Sequence, residues 1–292
     1  MFEGCSVAIV TPIRNGSIDM DAYRKLVEFQ IAGGTDAIVT CGCTGEPATM
    51  TMEEHKALIS ETVQIVSGRV PVIAGTGSNN TREALDLTRY AQKAGADGAL
   101  LITPYYNKPT PAGLLQHYRA VAREVDLPLM IYNVPSRTGI SILPETVAQL
   151  ASEEKNIVAI KEASGSMDQV SQILCLCPKG FTVLSGDDSM TLPIIAVGGR
   201  GVVSVAANIV PARMKQLVSF ALSGAWEKAR QAHLELFDLF KALFLETNPI
   251  PVKEALGLMG MLSPEWRLPL TPARTETRQR IAVVLRKHGL VQ

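Results

Sequence analysis

Lys161 lies within the apolar run NIVAIKEAS, and of the chain's lysines it alone falls inside a clear strand pattern. Burial of an ammonium is costly, and it lowers the lysine pKa from about 10.4 toward the range where a neutral amine can attack a carbonyl. The structural alternative is an ion pair with a carboxylate such as Asp187. Other strand-like runs end in groups that suit a carbonyl acid as substrate. YNVPSRTG puts Tyr132 at a strand end and Arg137 in the following loop. A phenol can pass protons, and a guanidinium can hold a carboxylate through two parallel hydrogen bonds. GCTGEP is a glycine-bracketed turn that offers the Thr44 hydroxyl and main-chain N–H groups as a carboxylate cradle. TPYYN carries Tyr105 and Tyr106 in a loop, and SGDD carries Gly186, which permits close backbone approach. Singly, each has a bland reading as packing or surface charge. What raises their joint weight is that all would face one mouth in a single kind of fold.

That fold is an α/β barrel, a (β/α)8 TIM barrel with a C-terminal helical appendix. Short β-branched runs (SVAIVTP, TDAIVTCG, RVPVIAGTG, ADGALLITP and their successors) alternate with amphipathic stretches such as TREALDLTRYAQKAG. The strand count is about eight, the number that closes a barrel, and the reactive groups of such barrels sit at the C-terminal ends of the strands. The strands read as continuous apolar runs, as strands covered on both faces should. A doubly wound open sheet would give similar runs, so closure rests on the count. Gly34, Gly68, Gly95 and Gly224 each follow a periodic segment where a helix would end. Strand signals stop there, so residues 1–224 are read as the barrel and 225–292 as a helical region interrupted by NPIPVK and RLPLTP.

Composition narrows the chemistry. The chain has 292 residues, with 28 Lys plus Arg against 28 Asp plus Glu, and this balance offers no basic surface for nucleic acid or an anionic membrane. No apolar run approaches the roughly 20 residues that span a bilayer, and the N-terminus lacks a basic leader with a cleavage site, so a cytoplasmic location is expected. The five cysteines (Cys5, Cys41, Cys43, Cys175, Cys177) are odd in number and read as reduced thiols. The four histidines (His55, His117, His233, His288) are scattered, without metal-ligand spacing, and no metal is expected. Nucleophile-elbow and P-loop motifs are absent, and GRGVVS at 199–204 precedes a strand, the wrong context for a dinucleotide site.

Taken together, VAIVTP, GEPAT, TPYYNKP, YNVPSRTG, IKEASG, LSGDD and NPIPVK resemble the dihydrodipicolinate synthase family of pyruvate-dependent Schiff-base aldolases, which is related to N-acetylneuraminate lyase. The likeness runs over essentially the whole chain. It implies a lyase that condenses pyruvate with L-aspartate-4-semialdehyde to 4-hydroxy-tetrahydrodipicolinate in lysine (diaminopimelate) biosynthesis. No cofactor is implied beyond the covalent imine of pyruvate with Lys161. By the same resemblance Tyr132 shuttles protons, Thr44 and the adjoining backbone hold the pyruvate carboxylate, and Arg137 binds the carboxylate of the second substrate. Gly186 and Val203 match positions lining the pyruvate pocket. Tyr106 is lent to a neighbouring subunit, which implies a tight dimer, usually paired into a homotetramer. Ala48, His55, Asn79, Glu83 and Tyr105 match a lysine effector site, whereas Pro47 and Met52 depart from it. Cys43 departs too, standing where the family has a threonine whose hydroxyl joins two tyrosines in a proton relay. Two other readings stay open: a related aldolase or lyase acting on a keto-deoxy sugar acid or N-acetylneuraminate, and a catalytically weak barrel with a binding or regulatory role.

Overall fold

The computed structural model describes residues 2–292 and contains a closed parallel barrel. Its strands are β1 (Gly4–Ala8), β2 (Ala37–Thr40), β3 (Val72–Gly75), β4 (Gly98–Ile102), β5 (Leu129–Asn133), β6 (Ile157–Glu162), β7 (Thr182–Ser185) and β8 (Gly201–Ser204). Each pairs with its sequence neighbours, and β1 also pairs with β8, so no edge is left. The closing seam requires glycine. A Cβ on Gly201, at φ 147°, would lie 1.9 Å from the Gly4 carbonyl oxygen.

Alternation along the strands separates two apolar clusters. Ala8, Val39, Ile73, Leu100, Met130, Ala159, Leu184 and Val203 fill the barrel, with Phe2 closing its lower end against Gly98. Their neighbours, including Cys5, Val7, Ile38, Ile131, Ile160 and Val202, face the surrounding helices. This double burial is why the strands read as unbroken apolar runs.

The ring comprises α1 (Met20–Ala32), α2 (Met52–Val66), α3 (Thr81–Ala94), α4 (Pro111–Ala122), α5 (Pro144–Glu153), α6 (Met167–Leu176), α7 (Thr191–Ala196) and α8 (Pro211–Leu222). Local chemistry sets several of their ends. Thr51 and Glu54 form a reciprocal capping box at the start of α2, and Gly95 ends α3 in the left-handed conformation. Three further helices come after the barrel, α9 (Trp226–Ala242), α10 (Ile250–Leu258) and α11 (Thr275–Lys287). No helix among the described residues is long and apolar enough to cross a membrane.

The segments flanking α10 return to the barrel mouth. A small hairpin after β1 pairs Ile13–Arg14 with Ser17–Ile18, and the Glu265 carboxylate accepts from the main-chain N–H groups of its turn residues Asn15 and Gly16 (2.8 and 2.6 Å). Arg267 then donates to the Gly16 carbonyl and to Glu54 on α2. The helical appendix is thereby tied to the loops that shape the site.

Candidate active site

A cavity of about 420 Å³ opens where the C-terminal ends of the strands meet the segments around α10. A groove of about 580 Å³ between α9 and α11 is larger, but it lies outside the barrel and none of the candidate residues lines it. The mouth cavity gathers Cys43 from the turn after β2, Tyr132 and Arg137 from the end of β5 and its loop, and Asn248 from the C-terminal part.

Lys161 sits on β6 with Ala159 on the inward face, while Ile160 packs outward. Glu162 also points away from the barrel interior. Its carboxylate accepts from Asn133 Nδ2, the Ser164 main-chain N–H and Gln169 Nε2, which fastens the ends of β5 and β6 together. The Lys161 side chain is 4% exposed. The lysines that form ion pairs among the described residues are Lys215, Lys253 and Lys287, so Lys161 has none. The alternative of an Asp187 partner therefore fails: Asp187 Oδ1 instead accepts from the N–H and hydroxyl of Ser189, both at 2.8 Å. Burial is the main cause that lowers the Lys161 pKa, to about 8, so the neutral amine is populated near neutrality.

Tyr132 is the direct cross-strand partner of Lys161. The Lys161 Nζ lies 4.2 Å from the centre of its ring, and the hydroxyl neighbours the Cys43 thiol. Burial, with a smaller contribution from Cys43, raises the Tyr132 phenol well above its ordinary range, so it stays protonated and can donate. Gly186 closes the other side of the lysine. A Cβ there would meet Lys161 Cε at 3.1 Å and Ala163 Cβ at 2.6 Å. Val203 is fully buried in the same interior cluster.

Thr44 lies in the tight turn Cys43–Gly45, whose Gly45 carbonyl accepts from the Thr11 hydroxyl at 2.7 Å. Thr44 is itself buried, and its hydroxyl oxygen accepts from Asn248 Nδ2 at 2.9 Å. Arg137 is exposed toward the mouth and donates through Nη2 to the Asn248 carbonyl at 2.7 Å. Tyr106 does not join the others. At φ 72° it carries its ring outward, 90% exposed, while the neighbouring Tyr105 lines the cavity.

Of the positions matched to an effector site, Ala48, His55, Glu83 and Tyr105 line the same cavity, beside Pro47 and Met52. Asn79 does not line it; its carbonyl accepts from Asn107 Nδ2. Sequence reasoning missed the roles of Asn248, Glu46 and Lys253, although NPIPVK stood out within the helical region. Lys253 is fully buried and donates to Glu46 Oε1 at 2.6 Å.

Over residues 1–288 the chain matches the Dihydrodipicolinate synthetase family. It is 56% identical to the 4-hydroxy-tetrahydrodipicolinate synthase of Geotalea daltonii, covering 100% of both chains. The crystal structure of dihydrodipicolinate synthase from Aquifex aeolicus superposes with a TM-score of 0.98 at 50% identity, covering 99% of each chain. A structure described as the first monomeric dihydrodipicolinate synthase variant also superposes at 0.98, with 45% identity over 99% of this chain and 98% of that one. The chain belongs to the dihydrodipicolinate synthetase family.

Proposed function

We propose that this protein is a lyase that condenses pyruvate with L-aspartate-4-semialdehyde to 4-hydroxy-tetrahydrodipicolinate in lysine biosynthesis, through an imine on Lys161. The observation that carries the reading is the unpaired, buried Lys161 amine held against the ring of Tyr132, which lines the mouth cavity. The neutral amine attacks the pyruvate keto carbon, and water leaves as the imine forms. Tyr132 supplies and takes up the protons of these steps. Thr44 and the adjoining backbone hold the pyruvate carboxylate, with Gly186 and Val203 shaping the floor. Loss of a methyl proton gives the enamine, whose carbon attacks the aldehyde. Arg137 holds the carboxylate of that second substrate, and the product amine then displaces Lys161 on cyclisation. The imine is the only prosthetic chemistry this scheme needs.

The outward Tyr106 supports an assembly in which each subunit lends this ring to its neighbour, as a homodimer that pairs into a tetramer. Borohydride reduction in the presence of pyruvate, with peptide mapping of the product, tests the covalent step, and no adduct at Lys161 would refute it. An assay with aspartate semialdehyde and a coupled reductase tests the second substrate. Faster turnover of a sugar-derived aldehyde would favour the related lyase reading instead.

Cys43 stands next to the Tyr132 hydroxyl, where a thiol is a weaker hydrogen-bond donor and acceptor than a hydroxyl. Cys43→Thr is expected to raise kcat by about fivefold, the worth of roughly 1 kcal/mol in one hydrogen bond. An equal or lower steady-state rate would sink this assignment.

Free lysine is expected to inhibit weakly. In the effector region Glu83 already accepts from Ser78 (2.7 Å) and Asn80 (3.2 Å), and His55 Nε2 is bonded to the Gly75 carbonyl at 2.7 Å. Burial lowers the His55 pKa, and Pro47 and Met52 in the wall add no strong hydrogen-bonding group. Half-inhibition should need more than roughly 1 mM lysine, an affinity weaker than about 4 kcal/mol. Half-inhibition at micromolar lysine would contradict this.

A further inference from the structure

The segment 247–253 reaches the site from the C-terminal helices and grips the turn after β2 at two points. Asn248, only 5% exposed, donates from Nδ2 to Thr44 Oγ1 at 2.9 Å, while its own carbonyl accepts from Arg137. Its Oδ1 has no partner within the chain, so Nδ2 alone makes the side chain's hydrogen bond. Lys253 donates to Glu46, which comes immediately after the turn and sits at φ 60°. Lys253 also donates to the Glu265 carbonyl at 2.6 Å, so the grip is anchored on both sides.

A hydroxyl carries one proton and two lone pairs. With Thr44 Oγ1 accepting from Asn248 Nδ2, the carboxamide atom facing the hydroxyl is a donor, so the Thr44 proton turns away from it toward an acceptor elsewhere. We propose that Asn248 is a positioning residue that sets the polarity of Thr44: its carboxamide keeps the Thr44 hydroxyl as a donor to the keto-acid carboxylate, while its main-chain carbonyl holds Arg137 in place for the second substrate. This rests on the reading that Thr44 binds the pyruvate carboxylate.

Charge and polarity variants separate this role from simple packing. Asn248→Ala frees the hydroxyl to rotate and should raise the pyruvate KM about fivefold. Asn248→Asp should raise it about fiftyfold, because the new carboxylate accepts the Thr44 proton and repels the substrate carboxylate. Both keep the main-chain carbonyl, so the KM for aspartate semialdehyde should stay within about twofold and kcat within about threefold. Thr44→Val tests the underlying reading and should raise the pyruvate KM about tenfold. On that background Asn248→Ala should add less than about twofold, since the two act through one hydroxyl. If Thr44→Val raises the pyruvate KM but Asn248→Asp is no worse than Asn248→Ala, this inference alone is overturned. If Thr44→Val leaves the KM unchanged, the carboxylate reading fails and this inference falls with it. If Asn248→Asp gives no cooperative melt, the Thr44→Val and Asn248→Ala cycle decides, and additive effects overturn the proposal.

Discussion

Lys161→Met should lower kcat/KM for the condensation by at least about four orders of magnitude, because it removes the amine on which the proposed imine forms. Borohydride should trap no pyruvate on this variant. The same change should stabilise the fold. The Lys161 pKa is about 8 in the folded chain against an ordinary 10.5, with burial as the largest cause. The unfolded chain therefore binds a proton that the folded chain gives up, and stability rises with pH between those two values. Below pH 8 the cost is present in full, on the order of 3 kcal/mol, and above 10.5 it is gone. A methionine of similar length avoids that cost, so at pH 7 the variant should melt several degrees higher while being inactive. In the wild type, the rate of imine formation should climb with pH up to about 8 and then level, as the ammonium gives way to the amine. Substantial turnover by Lys161→Met would sink the assignment. A lower melting temperature at pH 7 would instead refute the account of its burial.

Lys253→Met should be the most damaging substitution for stability. Lys253 and Glu46 are 0% and 1% exposed at the side chain, and their contact at 2.6 Å joins the C-terminal helices to the turn that carries Thr44. Burial pushes Lys253 down and Glu46 up, each toward its neutral form, and the contact between them opposes both shifts. Removal of one partner leaves the Glu46 carboxylate buried without its amine, at a cost of about 3–5 kcal/mol. Replacing both, as Glu46→Gln with Lys253→Met, removes the stranded charge and should restore more than half of the loss. Denaturant melts of the two single variants and the double variant measure this coupling. A cost under about 1 kcal/mol for Lys253→Met would show that the pair holds nothing together.

Much of this molecule is legible along the chain. The strand runs, their spacing and the glycines at the helix ends are local signals, because a strand covered on both faces must be apolar throughout and a left-handed helix end favours residues without a Cβ. The reactive candidates were legible for a related reason. Barrel chemistry concentrates at strand ends, so Lys161, Tyr132, Arg137 and Thr44 stand out at or just beyond the apolar runs. Their chemical types were written in the sequence; their mutual geometry was not.

Position and pairing needed the folded chain. Register alone sets Lys161 opposite Tyr132, and nothing local to NIVAIKEAS shows that Asp187 turns away to bond Ser189 instead of the lysine. Tyr106 reads as a site residue, yet its backbone points it outward, away from its own barrel. The greatest gap lies in the helical region after Gly224, where NPIPVK carried no chemistry that composition could reveal. Asn248 and Lys253 become meaningful only because the chain returns about 200 residues later to the turn after β2, with Asn248 on Thr44 and Lys253 on Glu46. The sequence by itself determined the barrel and singled out Lys161 as its candidate lysine, because periodicity and burial are local properties of a strand. Tertiary structure alone decided which side chains surround Lys161 and Thr44, because such contacts join residues that no local pattern links.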